Sequence, residues 1–157
     1  MSETLIMTQG KLVGVQTSIF TIFNQAKYDP QAIPTAWKEF FAKAGNTELV
    51  KTDTFYGASI PSMSFDAPMD YFAGAIVSQD FEVPEGLSSV DIPEGEYFTV
   101  THTGPIMELA GSYQKAYGVA LPESGKEMRP APHLEIYNSQ LNPMDVAYEM
   151  VIAIPVA

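Results

Sequence analysis

Within the run His133-Leu134-Glu135-Ile136-Tyr137 a carboxylate stands among apolar and aromatic neighbours. The alternation is that of a β-strand, which puts Leu134 and Ile136 on one face and Glu135 with Tyr137 on the other. An ionised acid is costly to bury unless it is paired, hydrogen-bonded or offered a cation. Glu135 therefore faces water, as acids in antiparallel strands commonly do, or has an internal partner, or waits for a positively charged ligand. The third case needs apolar walls to replace the ligand's water, aromatic faces to receive its charge and one anion to balance it. Each ring face would contribute roughly 0.5–2 kcal/mol. A charge-assisted contact to the carboxylate would add roughly 1.5–3 kcal/mol.

Composition narrows the field. The 157 residues suffice for one well-buried domain, or for two half-domains sharing a core. Nearly half are apolar and only 17% are charged, the pattern of a folded globular chain. A net charge of −11, from 19 acids against 8 bases, argues against a direct nucleic-acid surface, which needs a basic face. With no cysteine, disulfides, thiol catalysis and thiolate metal sites are all excluded. Met1–Met7 carries no basic region or long apolar core, so no signal peptide is visible, and no apolar run is long enough to span a bilayer. A cytoplasmic protein is expected.

The elements that would position these residues occur twice. Leu5–Thr8 and Lys11–Ile19 read as two strands joined at Gln9-Gly10, and Val90–Ile92 and Tyr97–Thr101 as two more joined at Pro93-Glu94-Gly95. Each pair, read as a hairpin, leads to a helix. The first spans Gln31 to Ala44 with Ile33, Trp37, Phe40, Phe41 and Ala44 on one face. The second starts near Pro105, carries Ile106, Leu109, Tyr113, Ala116, Tyr117 and Ala120, and should stop before Pro122. Strands at Phe55–Ile60 and Tyr71–Ser78 close the first half, and strands at Leu134–Asn138 and Ala147–Ile154 close the second. Both halves place Pro-Met-Asp before the last strand, at Pro68-Met69-Asp70 and Pro143-Met144-Asp145. The connection Phe20–Ala32 reads as an insertion in the first half. The expected fold is α+β: a single domain over 1–157, in halves of about 1–80 and 81–157. Its pseudo-twofold duplicated strand-helix-strand-strand units form one mainly antiparallel sheet, with two helices over one face and a central ligand cleft between them.

Several motifs in order carry a resemblance. Val83-Pro84-Glu85-Gly86-Leu87, Ile92-Pro93-Glu94-Gly95-Glu96-Tyr97, Thr103-Gly104-Pro105, Leu121-Pro122-Glu123-Ser124-Gly125, Arg129-Pro130-Ala131-Pro132, Leu134-Glu135-Ile136-Tyr137 and Ile154-Pro155-Val156 resemble the GyrI-like small-molecule-binding domain. The same domain is the effector-binding module of some AraC-type and multidrug-sensing regulators. The resemblance covers the whole chain, most firmly from Phe55 onward. It implies a pseudo-symmetric fold with an aromatic cleft that takes amphipathic, often cationic, drug-like compounds against a buried glutamate. Glu135 matches that glutamate, and Trp37, in Ile33-Pro34-Thr35-Ala36-Trp37, matches the aromatic of the first helix. No length remains for an N-terminal DNA-binding domain, so the chain is similar to stand-alone members, including drug-binding versions carried on integron cassettes.

The candidate ligand-binding residues are Glu135, Trp37 and Tyr137, then Tyr113 and Tyr117 of the second helix and Tyr71 of a facing strand. Taken singly, each tyrosine is equally a core residue with a satisfied hydroxyl, and Trp37 equally a core residue. No catalytic residue, metal site or cofactor is expected. His102 and His133 lack metal-ligand spacing and read as structural. Ser112 lacks a nucleophile elbow. Ser124-Gly125-Lys126-Glu127 lacks the hydroxyl residue and the strand that a phosphate loop requires. Asp70 and Asp145 read as turn residues at strand starts.

The expected function is binding of an amphipathic cation, as a transcriptional effector or sensor working through a protein partner. Two alternatives follow from the resemblance. One is a hydrolase of reactive cyclopropane-type genotoxins with Glu135 as general base. The other is a gyrase-inhibitor-like module that binds protein through its acidic surface.

Overall fold

The computed structural model describes residues 2–20, 24, 26–61, 67–138 and 148–157, the side chains of Ser2 and Ile106 excepted. The first half runs β1 (Ser2–Met7), β2 (Gly10–Ile19), α1 (Ala32–Ala44), β3 (Phe55–Ile60) and β4 (Met69–Val77). The second runs β5 (Ser88–Ile92), β6 (Gly95–Thr103), α2 (Leu109–Lys115), a π-helical turn at Ala116–Ala120, α3 (Leu121–Ser124), β7 (His133–Tyr137) and β8 (Glu149–Val156). No helix among the described residues is long and apolar enough to cross a membrane.

Eight strands form one sheet in the order β1-β6-β8-β7-β3-β4-β2-β5, with every neighbouring pair antiparallel. Exchanging the two halves reverses this order onto itself, so the duplication is a true structural pseudo-twofold. The strands expected to form hairpins do not pair with each other. β1 lies against β6 with Met7 opposite Gly95, and β5 lies against β2 with Ile92 opposite Gly10. Each half thus lends its first strand to the other.

That exchange forces the sheet to curl. In a flat sheet β5 and β6 would be six strand spacings apart, about 29 Å. Ile92 and Gly95 are separated only by Pro93 and Glu94, a link that reaches no more than about 11 Å. The outer strands therefore close over the face that carries no helix. There Leu12, Phe72, Ile92, Tyr97, Leu134 and Ile136 form a buried cluster against which Leu5 and Met7 pack. Gly14 and Gly74 face each other in the β2–β4 pair. A Cβ on Gly14 would stand 1.9 Å from the Ala73 carbonyl oxygen, and one on Gly74 2.1 Å from that of Val13. The backbones meet here more closely than any side chain permits.

The other face carries the helices. α1 seats Ala36, Phe40 and Ala44 on Val13, Val15 and Ile19 of β2 and on Tyr71, Ala73 and Ala75 of β4. Full burial of a side chain such as Phe40 contributes roughly 1.5–3 kcal/mol. Thr47 closes the helix by donating its hydroxyl to the Ala44 carbonyl at 2.8 Å. Phe41, on the same apolar face of the helix by its spacing, is 45% exposed, though its ring rests on Phe40 and Phe55.

In the second half Ala116 and Leu121 seat on Phe98, Met150, Ile152 and Ile154. The helical path does not stop before Pro122. At the π turn the Leu121 N–H reaches back to the Ala116 carbonyl, and Pro122 enters in the first turn of α3, where its fixed φ suits a helix. The path ends at Gly125, with φ +75°. Part of the Phe20–Ala32 connection, the second Pro-Met-Asp and Asp145 lie outside the described residues. Asp70 belongs to β4, paired with Ser18 and Ile60.

Candidate ligand site

Strand parity sets the site. On β7 the side chains of His133, Glu135 and Tyr137 point to the helix-bearing face, whereas Leu134 and Ile136 enter the opposite cluster. β7 pairs with β3 at the seam between the halves, and there Glu135 stands opposite Gly57. Met7 faces Gly95 as Ile92 faces Gly10, which makes Gly14 and Thr99 twins; these face Gly74 and Ala153, which face Tyr56 and Leu134 in turn, so Gly57 and Glu135 are also equivalent positions of the two halves. The pseudo-twofold axis passes between them, and the carboxylate of Glu135 sits beside it.

Glu135 is 8% exposed and held by phenols. Oε1 accepts from the Tyr137 hydroxyl at 2.5 Å and from the Tyr71 hydroxyl at 3.5 Å, and Oε2 accepts from the Tyr113 hydroxyl. The Tyr71 hydroxyl also receives the Trp37 indole N–H at 3.0 Å. Trp37 meets Tyr137 edge to face, with centroids 5.3 Å apart. Tyr113 stacks on Tyr117 at 6.2 Å, Tyr117 stacks on His133 at 5.8 Å, and the Tyr117 hydroxyl lies 2.5 Å from His133 Nδ1. The structure thus brings together all six residues singled out from sequence: Glu135, Trp37, Tyr137, Tyr113, Tyr117 and Tyr71.

The electrostatics follow from this packing. Burial first, and then the charge of Glu135, hold the hydroxyls of Tyr71, Tyr113 and Tyr137 well above the ordinary phenol range, and that of Tyr117 above it. All four stay protonated and can donate. Burial pushes His133 down to about 4, so near neutral pH its ring is uncharged and shares a hydrogen bond with the protonated Tyr117 hydroxyl. Ion pairs among the described residues are Lys51–Glu48 and Lys126–Glu96, and neither reaches Glu135. Three neutral donors offset the desolvation of the buried Glu135 carboxyl group.

Two residues outside the expected set belong to this arrangement. His133 shares strand parity with Glu135 and Tyr137, a signal readable from sequence. Gly57 had no signal of its own, and only an alignment of the two halves would have placed it opposite the acid. His102 is structural: its Nε2 faces the Gly104 and Pro105 carbonyls at 3.1 and 3.2 Å, and its Nδ1 meets the Ser112 hydroxyl at 2.6 Å, tying the start of the second helical path to β6. No group of acids and histidines among the described residues could hold a metal ion. A separate polar cavity of about 400 Å³ lies between the end of β2 and α1, lined by Thr17, Ser18, Asp29, Thr35 and Glu39 among others, and shares no residue with the tyrosine cluster.

Known proteins share this architecture. A transcriptional regulator, BrlR of Pseudomonas aeruginosa, is 31% identical over 87 residues, which are 55% of this chain and 32% of that protein. The match therefore spans about a third of the regulator's length. The structure of SAV2435 bound to tetraphenylphosphonium superposes with a TM-score of 0.71 at 15% identity, covering 100% of this chain and 94% of that one. An integron cassette protein from the mobile metagenome of Vibrio cholerae superposes with a TM-score of 0.68 at 16% identity, covering 99% and 95%. Residues 11–156 match the model of the Cass2 family, described as integron-associated effector binding protein, and the chain belongs to that family.

Proposed function

We propose that this protein binds an amphipathic, singly charged organic cation over Glu135, with Trp37, Tyr71, Tyr113, Tyr117 and Tyr137 as the surrounding rings. The observation that carries the reading is a buried acid whose described partners are three hydroxyl donors and no cation. Such a group is stable when the site is empty and still attracts positive charge when a ligand displaces water. Membership of an effector-binding family and the tetraphenylphosphonium held by a protein of the same fold support it. The partial match to a transcriptional regulator favours a sensor that passes its ligand state to a protein partner.

Calorimetric titration with tetraphenylphosphonium and with the neutral triphenylphosphine oxide tests the reading. Glu135→Gln should weaken the phosphonium roughly 10- to 100-fold, the loss of one charge-assisted contact. The oxide should bind the variant as it binds the parent. Equal loss for both compounds, or for neither, removes the counter-charge role.

A further inference from the structure

The glutamate's twin position holds no side chain. Gly57 is buried on a central strand of the sheet. A glycine there costs roughly 0.5–1 kcal/mol relative to alanine, so its place calls for a close approach. The approaching group is the Tyr71 phenol. A Cβ built on Gly57 would lie 2.4 Å from the Tyr71 hydroxyl oxygen, 3.0 Å from its Cζ and 3.1 Å from Glu135 Oε1. Tyr71 has nowhere to retreat, since it is 1% exposed and packed among Val13, Val15, Phe40 and Ala73 in the α1 core.

We propose that Gly57 is the positioning residue of the cation site: its missing side chain lets the Tyr71 phenol lie across the β3 backbone. From there the phenol steadies Glu135 on one side and receives Trp37 on the other. The inference rests on the reading of Glu135 as the ligand's counter-charge. The geometry gives Tyr71 two duties that share one oxygen, the donation to Oε1 and the acceptance from Trp37 Nε1. A methyl group on Gly57 displaces that oxygen and ends both. It also crowds Oε1, which is left with Tyr137 as its donor. The same methyl would therefore disturb the acid, the indole and the space between them, although residue 57 offers a ligand nothing to touch.

A double-mutant cycle between Gly57→Ala and Tyr71→Phe tests this, read by tetraphenylphosphonium affinity and by Trp37 emission. Gly57→Ala in the parent should weaken the phosphonium about tenfold or more and shift the emission of the sole tryptophan. In the Tyr71→Phe background the 2.4 Å clash is gone and only the tight contacts to the ring edge and Glu135 Oε1 remain, so the same change should cost severalfold less and move emission less. An equal penalty in both backgrounds, or no penalty in the parent, overturns the proposal. If Gly57→Ala does not fold, recovery of folding by Tyr71→Phe supports the proposal and failure to recover rejects it. Should the parent protein ignore tetraphenylphosphonium, the ligand reading fails, while the emission arm still decides whether Gly57 positions Tyr71.

Discussion

The Tyr117 hydroxyl and His133 Nδ1 are 2.5 Å apart, with their rings stacked at 5.8 Å. The imidazole is sheltered from water in this pairing. Burial lowers the His133 pKa from 6.5 to about 4, so between those values the unfolded chain binds the proton that the folded one refuses. Stability from this site is complete above pH 6.5 and falls as the pH drops towards 4. Urea midpoints measured across that window should decline in the parent and decline less in His133→Gln. Identical slopes would show that another group governs the acid limb.

The phenol donors of Glu135 should be separable by stability. Tyr137→Phe or Tyr113→Phe leaves the buried carboxylate a donor short and should cost about 1–3 kcal/mol in chemical denaturation. Tyr71→Phe removes only the longer 3.5 Å contact to the acid and should cost less at Glu135. Measured in a Trp37→Phe background, where no indole is left to be freed, a larger loss for Tyr71→Phe than for Tyr137→Phe would contradict this ranking.

Trp37 should report on the site without a label. Its indole N–H is held by the Tyr71 hydroxyl at 3.0 Å, and Tyr71→Phe releases it. The emission maximum should move in that variant, and tetraphenylphosphonium should quench the parent on titration. Quenching that persists unchanged in Trp37→Phe could only be an artefact of tyrosine or inner-filter absorption.

The Gly14–Gly74 contact should be intolerant of any side chain. Alanine at either position sets a methyl about 2 Å from a backbone oxygen of the facing strand, and neither strand can yield without opening the β2–β4 pair. A loss of about 3 kcal/mol or more is expected for each, measured as a shift in urea midpoint. Near-neutral variants would mean that the strands separate locally at little cost.

Much of this was legible beforehand because it depends on local periodicity. Phe55–Ile60 reads as a strand and is one, and the first helix begins within a residue of its expected start. Parity alone puts Glu135 and Tyr137 on one side of β7, and helical spacing alone puts Tyr113 below Tyr117. Trp37 came from the family resemblance, since spacing marks it equally as core. Strand exchange was invisible. The links Thr8-Gln9 and Pro93-Glu94 look like hairpin turns at short range, and only closure of the whole sheet sends β1 to β6 and β5 to β2. Pro122 misled because the π turn relieves the clash that a proline brings to a regular helix.

Because residues 57 and 135 share one spot beside the axis, the halves cannot stand in for each other. Two copies of the first would offer a bare floor without charge. Two copies of the second would press a pair of carboxyl groups together and would lack Tyr71, which belongs to β4 of the first half. Neither half-chain, assembled with itself, could reproduce this cluster, so its one acid beside the axis depends on the two halves differing at residues 57 and 135.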